Sequence, residues 1–436
     1  MAKLIGKYKD KFGTNSLDVI AKALNKLRVK GANGTCALSS SVPSSPFSTN
    51  DIWAILPTIL EFDPAVSDSG KKQIVSKAVF AYVSRKKGEF KAEALLESIT
   101  AKEREYLAIP VQSFVLLSQI SVDNIWEFVK RRRWQGAGFA FSHSRPRKLN
   151  YGRLEESAKN LGLPFTLPNW SYVRIKVSAR DPQEAMALAM NSLNSLRSIW
   201  NLELNGLLIH TTSVPVELPV NQIRLGPIQA VYNEESKQFG QCFSYQHPFV
   251  STNGSFGKPV KFTNKIWKRL KESEKFIRHQ IRKLNFGEAI SRLITEYGNC
   301  LDTPNRDQSF LRLWTILEQL TSCGNGIQMK HDLLVKRVSV LYTDSSMVKL
   351  ILEHLRANRN QMVHHMNHSP ELNTCFFQLL GFVNHYIRFH LQNAGKFDSL
   401  DEAGRVLDLV RHNRLEQETE LHKKAIVWKL DLFGDS

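Results

Sequence analysis

Residues 369–387, SPELNTCFFQLLGFVNHYI, form the most clearly bounded helix pattern in the chain, and this pattern decides the fold class of the C-terminal third. Ser369 is a favoured N-cap residue, Pro370 suits the first helical position, and Glu371 complements the helix dipole in the first turn. The apolar residues recur at spacings of three and four and share one face: Leu372, Phe376, Leu379, Leu380, Val383, Tyr386 and Ile387. We expect this face to pack against neighbouring helices.

The segments that precede this helix show the same period. In 306–322, for example, Phe310, Trp314 and Leu317 recur at helical spacing, and 263–283 is a long, basic, amphipathic stretch. We therefore expect an antiparallel helical bundle over 261–395, followed by a helical tail over 396–436. The helices expected in the bundle before residue 369 cover 263–283, 285–299, 306–322, about 330–342 and 346 to about 364.

The first 250 residues follow a different plan. Residues 1–110 predict a helical module of unknown role, and 111–250 predict a small α+β domain. The linker composition of 251–260 marks the predicted boundary with the bundle. The fold class is therefore α+β, mainly α. In the α+β domain we expect strands at 112–122, 137–142, 171–179 and 223–232, and a helix at 182–200 that opens at Asp181-Pro182.

Composition limits the function classes. The chain has 436 residues and a formal net charge of +18, a sign that attracts polyanions, of which nucleic acid is the commonest. The five cysteines include no Cys-x-x-Cys pair, so we expect no disulfide framework, no structural metal site and no cofactor. No apolar run approaches the roughly 20 residues of a membrane span, and the N-terminus lacks a secretory apolar core. We expect a cytoplasmic protein without membrane contact.

One short segment, RANRNQMVHHMNH at 356–368, combines the side chains that metal-free cleavage of RNA requires. A histidine can take the proton from a 2′-hydroxyl or give one to the leaving 5′-oxygen. An arginine can hold the phosphate, and an asparagine can orient either group by hydrogen bonds.

Helical geometry limits how these side chains can meet. Arg356, Asn360 and His364 share a face at spacings of four. Arg359 and His364 are five residues apart, about 140° around a regular helix. They converge if the helix bends between them, or if two subunits contribute across an interface.

The pattern Arg359-Asn360-x-x-Val363-His364 at the end of a helical bundle resembles the motif of HEPN domains, in which four to six residues separate an arginine from a histidine. The preceding helix, with Phe310, Trp314 and Leu317, resembles the ApeA-like branch of that superfamily, and the likeness covers about 260–395. The resemblance implies a metal-independent endoribonuclease, often a toxin or antiphage effector. It also implies a homodimer or higher oligomer through the bundle, with the motifs of two protomers at a shared interface. Products would carry 2′,3′-cyclic phosphate and 5′-hydroxyl ends.

Carried over by this resemblance, Arg359 would bind phosphate, Asn360 would position it, and His364 would act as acid or base. His365 also fits the permitted spacing, and we favour His364 because Val363 precedes it. Arg356 and Glu318 are further candidates, since Arg356 shares the helix face and Glu318 could fix an arginine or histidine. His364 and His368 are spaced to bind a metal on one helix face, but no third ligand is evident nearby.

A second basic segment lies in the α+β region. Its cations are followed by Phe139 and Phe141, a mixture that single-strand binders use, although a solvated charge run is the commoner explanation. The candidate RNA-contacting residues are Lys130, Arg131, Arg132, Arg133, Arg145, Arg147 and Lys148.

Two functions of different classes follow from these observations. The first is an HEPN endoribonuclease that cleaves an RNA substrate and whose N-terminal region binds a trigger or partner protein. The second is a non-catalytic RNA-binding or scaffold protein that uses the bundle for dimerisation. A third, less favoured interpretation is a subunit of a defence complex that is silent without its partners.

Overall fold

A computed structural model describes residues 3–4, 16–30, 36–38, 49–84, 91–146, 149, 151–164, 166–206, 220–235, 239–245, 258–303, 305–321, 331–365, 371–409 and 419. These residues form a mainly helical α+β protein, which confirms the predicted fold class, and they include one six-stranded antiparallel sheet. Three parts follow one another along the chain: an N-terminal helical module, the sheet with its helices, and a helical bundle.

The N-terminal module has a hydrophobic core of its own. Leu24, Leu56, Val79 and Ile99, one from each of the four helices described in this module, are fully buried in that core. The elements are β1 (Lys3–Leu4), α1 (Ser16–Leu27), β2 (Arg28–Lys30), β3 (Cys36–Leu38), α2 (Thr49–Ile59), β4 (Leu60–Glu61), α3 (Asp68–Val83) and α4 (Ala92–Leu107). Strand β1 pairs with β4, and β2 pairs with β3.

The middle part is built on a sheet with the strand order β10-β9-β5-β8-β7-β6. Its strands are β5 (Gln112–Ile120), β6 (Arg131–Trp134), β7 (Ala137–Ser142), β8 (Ser171–Ala179), β9 (Ile228–Asn233) and β10 (Phe239–Tyr245). The sequence predicted β5, β7, β8 and β9 and missed β6 and β10. Strand β6 escaped notice because three consecutive arginines hide its alternation of inward and outward side chains.

In the described residues of this part, three helices accompany the sheet: α5 (Ile125–Phe128), α6 (Gly152–Asn160) and α7 (Pro182–Asn205). Helix α7 begins where the sequence predicts, since Asp181 accepts hydrogen bonds from the backbone N–H groups of Gln183 (2.7 Å) and Glu184 (2.9 Å). It continues beyond the predicted end at residue 200. Helix α6 covers part of the opposite face of the sheet, where Leu154 and Ala158 pack on Tyr172.

The bundle contains the helices that the sequence predicts, within a few residues at each end. They are α8 (Asn264–Lys283), α9 (Gly287–Leu301), α10 (Arg306–Thr321), α11 (His331–Ser339), α12 (Ser345–His365) and α13 (Leu372–Gln392), followed in the tail by α14 (Leu400–Leu409). Helix α13 begins at Leu372 rather than at Pro370, and Ser369 and Pro370 lie outside the described residues. Six of its seven predicted core residues are buried, and Leu372 is partly buried.

The sheet region and the bundle share one continuous hydrophobic core, so 251–260 does not separate two independently packed bodies. Helix α7 lies between them: Leu196 and Trp200 belong to the same core as Val173 of the sheet and as Tyr297 of α9. Linker composition predicts a surface connection and does not report which bodies pack together. Residues 251–257 lie outside the described residues.

Buried polar groups fasten the same junction. Arg197, 1% exposed on α7, forms a salt bridge with Asp302 just after α9 and donates to the carbonyl of Ile223 at 3.0 Å. On the same helix, Glu203 accepts from Arg269 of α8 and from Arg388 of α13. Burial raises the pKa of Glu203, but the two arginines outweigh that effect and hold the pKa below its ordinary value.

Glycine at position 298 is required for the close approach of α7 and α9. A Cβ atom at this position would lie 2.6 Å from the Ser198 Cβ and 3.1 Å from the Ser198 Cα, so the helices would have to separate. We expect Gly298→Ala to lower the free energy of unfolding by about 1–3 kcal/mol in urea denaturation, despite the better helix propensity of alanine.

The matched control is Gly206→Ala, because the nearest atoms to a Cβ there lie at 3.5 Å. Combining Ser198→Gly with Gly298→Ala removes the closest obstacle, and the double variant should lose less stability than the two single losses together. Equal stability of Gly298→Ala and Gly206→Ala would contradict this account of the junction.

His390 is a buried histidine that connects two bundle helices. Its Nε2 lies 2.9 Å from the carbonyl oxygen of Leu320, so Nε2 carries the proton, and its ring packs against Phe286 and Phe389. The Nδ1 atom has no hydrogen-bond partner in the part of the chain that the structure describes. Burial lowers the pKa of His390 to about 4, and the hydrogen bond to Leu320 opposes this effect in part.

Because the unfolded chain takes up this proton near pH 6.5 and the folded protein only near pH 4, acid favours unfolding between these values. We expect His390 alone to cost about 3 kcal/mol of stability between pH 7 and pH 4. His390→Gln, which keeps a donor for Leu320, should reduce the acid loss by that amount in unfolding curves recorded at several pH values. His279→Gln on the exposed surface of α8 is the control, and an identical pH profile for His390→Gln and wild type would contradict the assignment.

Candidate active site

The predicted catalytic segment lies on the C-terminal half of α12, which remains helical through His365. On a regular helix, positions 359 and 364 lie about 140° apart. Arg356, Asn360 and His364 fall within one stripe of about 80° on this helix. The side chains of His364 and His365, and all of 366–370 with His368, lie outside the described residues.

Arg359 and Asn360 contact each other directly. Both side chains are partly buried, and the Arg359 Nη1 donates to the Asn360 Oδ1 at 3.2 Å. A guanidinium carries five N–H donors. This bond therefore orients Arg359 and leaves other N–H groups that can donate hydrogen bonds to a phosphate. Next to the pair, Met362 faces the core and Val363 is 45% exposed, which places the pair where the bundle surface begins.

Arg356 is engaged by carboxylates. Its guanidinium pairs with Asp332 at the start of α11, and its Nη1 lies 3.3 Å from an oxygen of Glu353 one turn earlier on α12. Arg356 therefore shares the face of Asn360 and His364 but is held by two negative charges. These contacts fasten α12 to α11 and give Arg356 a positioning role.

A polar cluster that sequence analysis missed lies one turn before Asn358. The His354 Nε2 lies 3.4 Å from an oxygen of Glu371 and 3.6 Å from the Cys375 Sγ, which joins α12 to α13. The buried Asn358 side chain donates to the His354 carbonyl at 3.0 Å. Burial and the neighbouring Glu371 raise the pKa of the Cys375 thiol, so this cysteine is not an activated nucleophile. The four-residue spacing of His354 and Asn358 is the sequence signal that could have indicated the cluster.

Glu318 lies on α10 and accepts a hydrogen bond from the indole N–H of Trp314 at 2.8 Å. Trp314 is 1% exposed and belongs to the shared core. The bond satisfies a buried donor that would otherwise be costly, which gives Glu318 a structural role within its own helix.

The basic segment at 130–133 divides between the two faces of the sheet. Lys130, Arg131 and Arg133 are exposed, whereas Arg132 points inward, pairs with Glu274 of α8 and lies 5.5 Å from the Trp200 ring. The expected contribution of the aromatic residues to single-strand binding is wrong. Phe139 and Phe141 are buried in the shared core. Trp134, directly after the arginines, is buried with them and donates to the Ser195 hydroxyl.

The remaining basic candidates follow strand β7. Arg145 pairs with Glu155 of α6 and lies 4.2 Å above the Tyr151 ring, so its charge is partly neutralised. Arg147 and Lys148 lie outside the described residues. Two cations that sequence analysis did not select, Arg174 and Lys176 on β8, are exposed beside Arg131 and Arg133.

Within the described ranges, no group of three or more His, Cys, Asp or Glu side chains is placed to hold a metal ion. The described helices also include none that is long and apolar enough to cross a membrane. The chain matches no family model, no curated protein and no solved structure.

Asn358 and Asn360 form a matched pair for separating structure from function at this site. Asn358 is 6% exposed and bonded within its helix, so Asn358→Ala should lower the free energy of unfolding by about 1–3 kcal/mol. Asn360→Ala should cost less than about 1 kcal/mol because Asn360 is only partly buried. Urea denaturation of the two variants measures the difference, and the reverse order of stabilities would contradict these roles.

Proposed function

We propose that this protein is a metal-independent endoribonuclease whose active site includes Arg359, Asn360 and His364. The observation that carries the proposal is the hydrogen bond from Arg359 to Asn360 on a helix that continues to His364. Positions 359, 360 and 364 thus bring an arginine, an asparagine and a histidine within about one and a half turns of α12.

The proposed reaction is a transesterification. A histidine takes the proton of a ribose 2′-hydroxyl, and the 2′-oxygen then attacks the adjacent phosphorus. The bond between phosphorus and the 5′-oxygen breaks, and that oxygen takes up a proton. The products are a 2′,3′-cyclic phosphate and a 5′-hydroxyl end, and neither water nor metal is consumed. Arg359 would neutralise charge that grows on the phosphate in the transition state.

A composite site between two copies of the chain would bring an arginine and a histidine together despite their separation around one helix. Because positions 359 and 364 lie about 140° apart around a regular helix, each phosphate would meet the arginine of one protomer and the histidine of the other. Met347 (52%) and Leu350 (66%) are exposed apolar residues about one turn apart on α12, and burial of this pair would favour association of two bundles. This supports a homodimer through the bundle as part of the proposal.

The same proposal assigns a regulatory role to the N-terminal region. Its module has a separate core, so a trigger or partner protein can bind there without disturbing the bundle. An RNase held inactive until such a trigger arrives fits a cytoplasmic toxin or antiphage effector.

The direct test is cleavage of end-labelled single-stranded RNA by purified protein in EDTA. Wild type should produce cyclic-phosphate ends, and Arg359→Ala and His364→Ala should each reduce the rate by at least about 100-fold. His365→Ala is the matched control, because position 365 is adjacent in sequence but about 100° away around the helix. Cleavage by His364→Ala at the wild-type rate would contradict the assignment of His364 as the acid or base.

Mixing two inactive variants tests the composite site. If Arg359→Ala and His364→Ala form mixed dimers after equal mixing, half of the dimers carry one intact site of two, and activity should return to about a quarter of wild type. Mixing either variant with itself gives the background rate. The absence of recovery in mixtures whose mixed dimers are verified by mass spectrometry would show that both residues act within one chain.

A second function, RNA binding without cleavage, is favoured by the exposed cations of the sheet, Arg131, Arg133, Arg174 and Lys176. It predicts RNA binding by wild type with no cleavage in EDTA or with metal, and no effect of His364→Ala on RNA affinity.

A further inference from the structure

Two rows of side chains cross the open face of the sheet. In one row Arg133 pairs with Gly138, and Gly138 pairs with Lys176 on the next strand. In the other row Arg131 pairs with Ala140, and Ala140 pairs with Arg174. Because paired residues point to the same side of a sheet, the four cations surround a floor of glycine and alanine.

This face is the one opposite α7. Leu117 and Ala230, which continue the second row, pack in the small cluster under α6 rather than in the shared core. Helix α6 therefore covers one end of the face and leaves the end with the four cations open. The opening is a shallow recess bordered by Val115 of β5 and Glu234 after β9.

The recess carries more positive than negative charge. Lys176 pairs with Glu234 at 2.6 Å, and Glu234 also accepts from the Ser113 hydroxyl. Arg131, Arg133 and Arg174 form no ion pair with any residue that the structure describes. Three exposed guanidiniums without a protein carboxylate keep a positive potential that favours a polyanion.

The dimensions fit a single nucleic-acid strand. Arg131 and Arg174 lie on either side of β7, about 10 Å apart at their Cα atoms, and Arg131 and Arg133 are separated by about 6.6 Å along β6. This spacing lets successive phosphates of an extended strand each reach a guanidinium. The small side chains of Gly138 and Ala140 leave room for the backbone to approach. A membrane surface fits less well, because β5 to β8 contribute no exposed large apolar residue.

We propose that the recess formed by Arg131, Arg133, Arg174 and Lys176 binds the sugar-phosphate backbone of single-stranded RNA. The choice of RNA rests on the proposed function, whereas the affinity for a phosphate backbone rests on the recess itself. Binding is independent of base sequence, because the aromatic residues of β6 and β7 face the core and offer no stacking surface.

The experiment measures the affinity of the full chain for a labelled single-stranded RNA of about 12 nucleotides, a length within the site sizes of single-strand binders. All proteins carry His364→Ala, so that binding is measured without cleavage. Arg131→Gln with Arg174→Gln should raise the dissociation constant about ten-fold or more at low salt. The slope of log affinity against log salt should fall in magnitude by about 1.4, which is two phosphate contacts on a single strand.

The matched control is Lys72→Gln with Lys77→Gln, which removes the same charge from exposed positions of α3 in the N-terminal module. It should leave both the affinity and the slope unchanged. The proposal is overturned if the Arg131 and Arg174 variant binds RNA as tightly as the parent, or if the parent binds anionic phospholipid vesicles and not RNA. If wild type never cleaves RNA but its binding depends on Arg131 and Arg174, the proposed function fails and the recess stands. If wild type cleaves RNA and the variant binds it unchanged, only the recess fails.

Discussion

Helix α7 is buried on two opposite sides, and the rest of the structure depends on providing partners for its buried residues. One side packs on the sheet and the other on the bundle, and the helix places polar groups in the contact. Arg197 needs Asp302, and the Asn201 side chain donates to the Ile223 carbonyl at 2.9 Å. Removing either side would leave a buried charge or amide without its partner, a loss of several kcal/mol. The sheet and the bundle therefore stabilise each other through their contacts with α7.

This dependence explains where sequence reasoning succeeded and failed on the fold. Helices α10 and α13 were predictable because each carries an apolar face of regular period, and α7 began at Asp181 as its capping pattern requires. The linker composition of 251–260 could not show that the sheet region and the bundle share one core. The buried pairing of Arg197 with Asp302 joins residues 105 positions apart, and no local pattern reveals it.

The candidate site was predictable to a similar extent. The sequence placed Arg359, Asn360 and His364 on one helix, and the structure adds the bond between the first two. It could not show that Arg356 is held by Asp332, because that partner lies on another helix. Nor could it separate Arg131 and Arg133 from Arg132, since a run of arginines has no visible period until its neighbours on β7 are known.

The alternation along β6 connects the open face of the sheet with the bundle. Arg131 and Arg133 point out to the recess, while Arg132 between them pairs with Glu274 of α8, which also accepts from the Trp200 indole at 3.1 Å. RNA held in the recess would thus keep a fixed position relative to α12 of the same chain, because the sheet and α12 belong to one continuous core. Under the proposed function, the geometry that remains adjustable is the contact between two bundles, where Arg359 of one copy must meet His364 of the other. A trigger would therefore control cleavage most directly by changing how the two copies associate, rather than by reshaping the core of either.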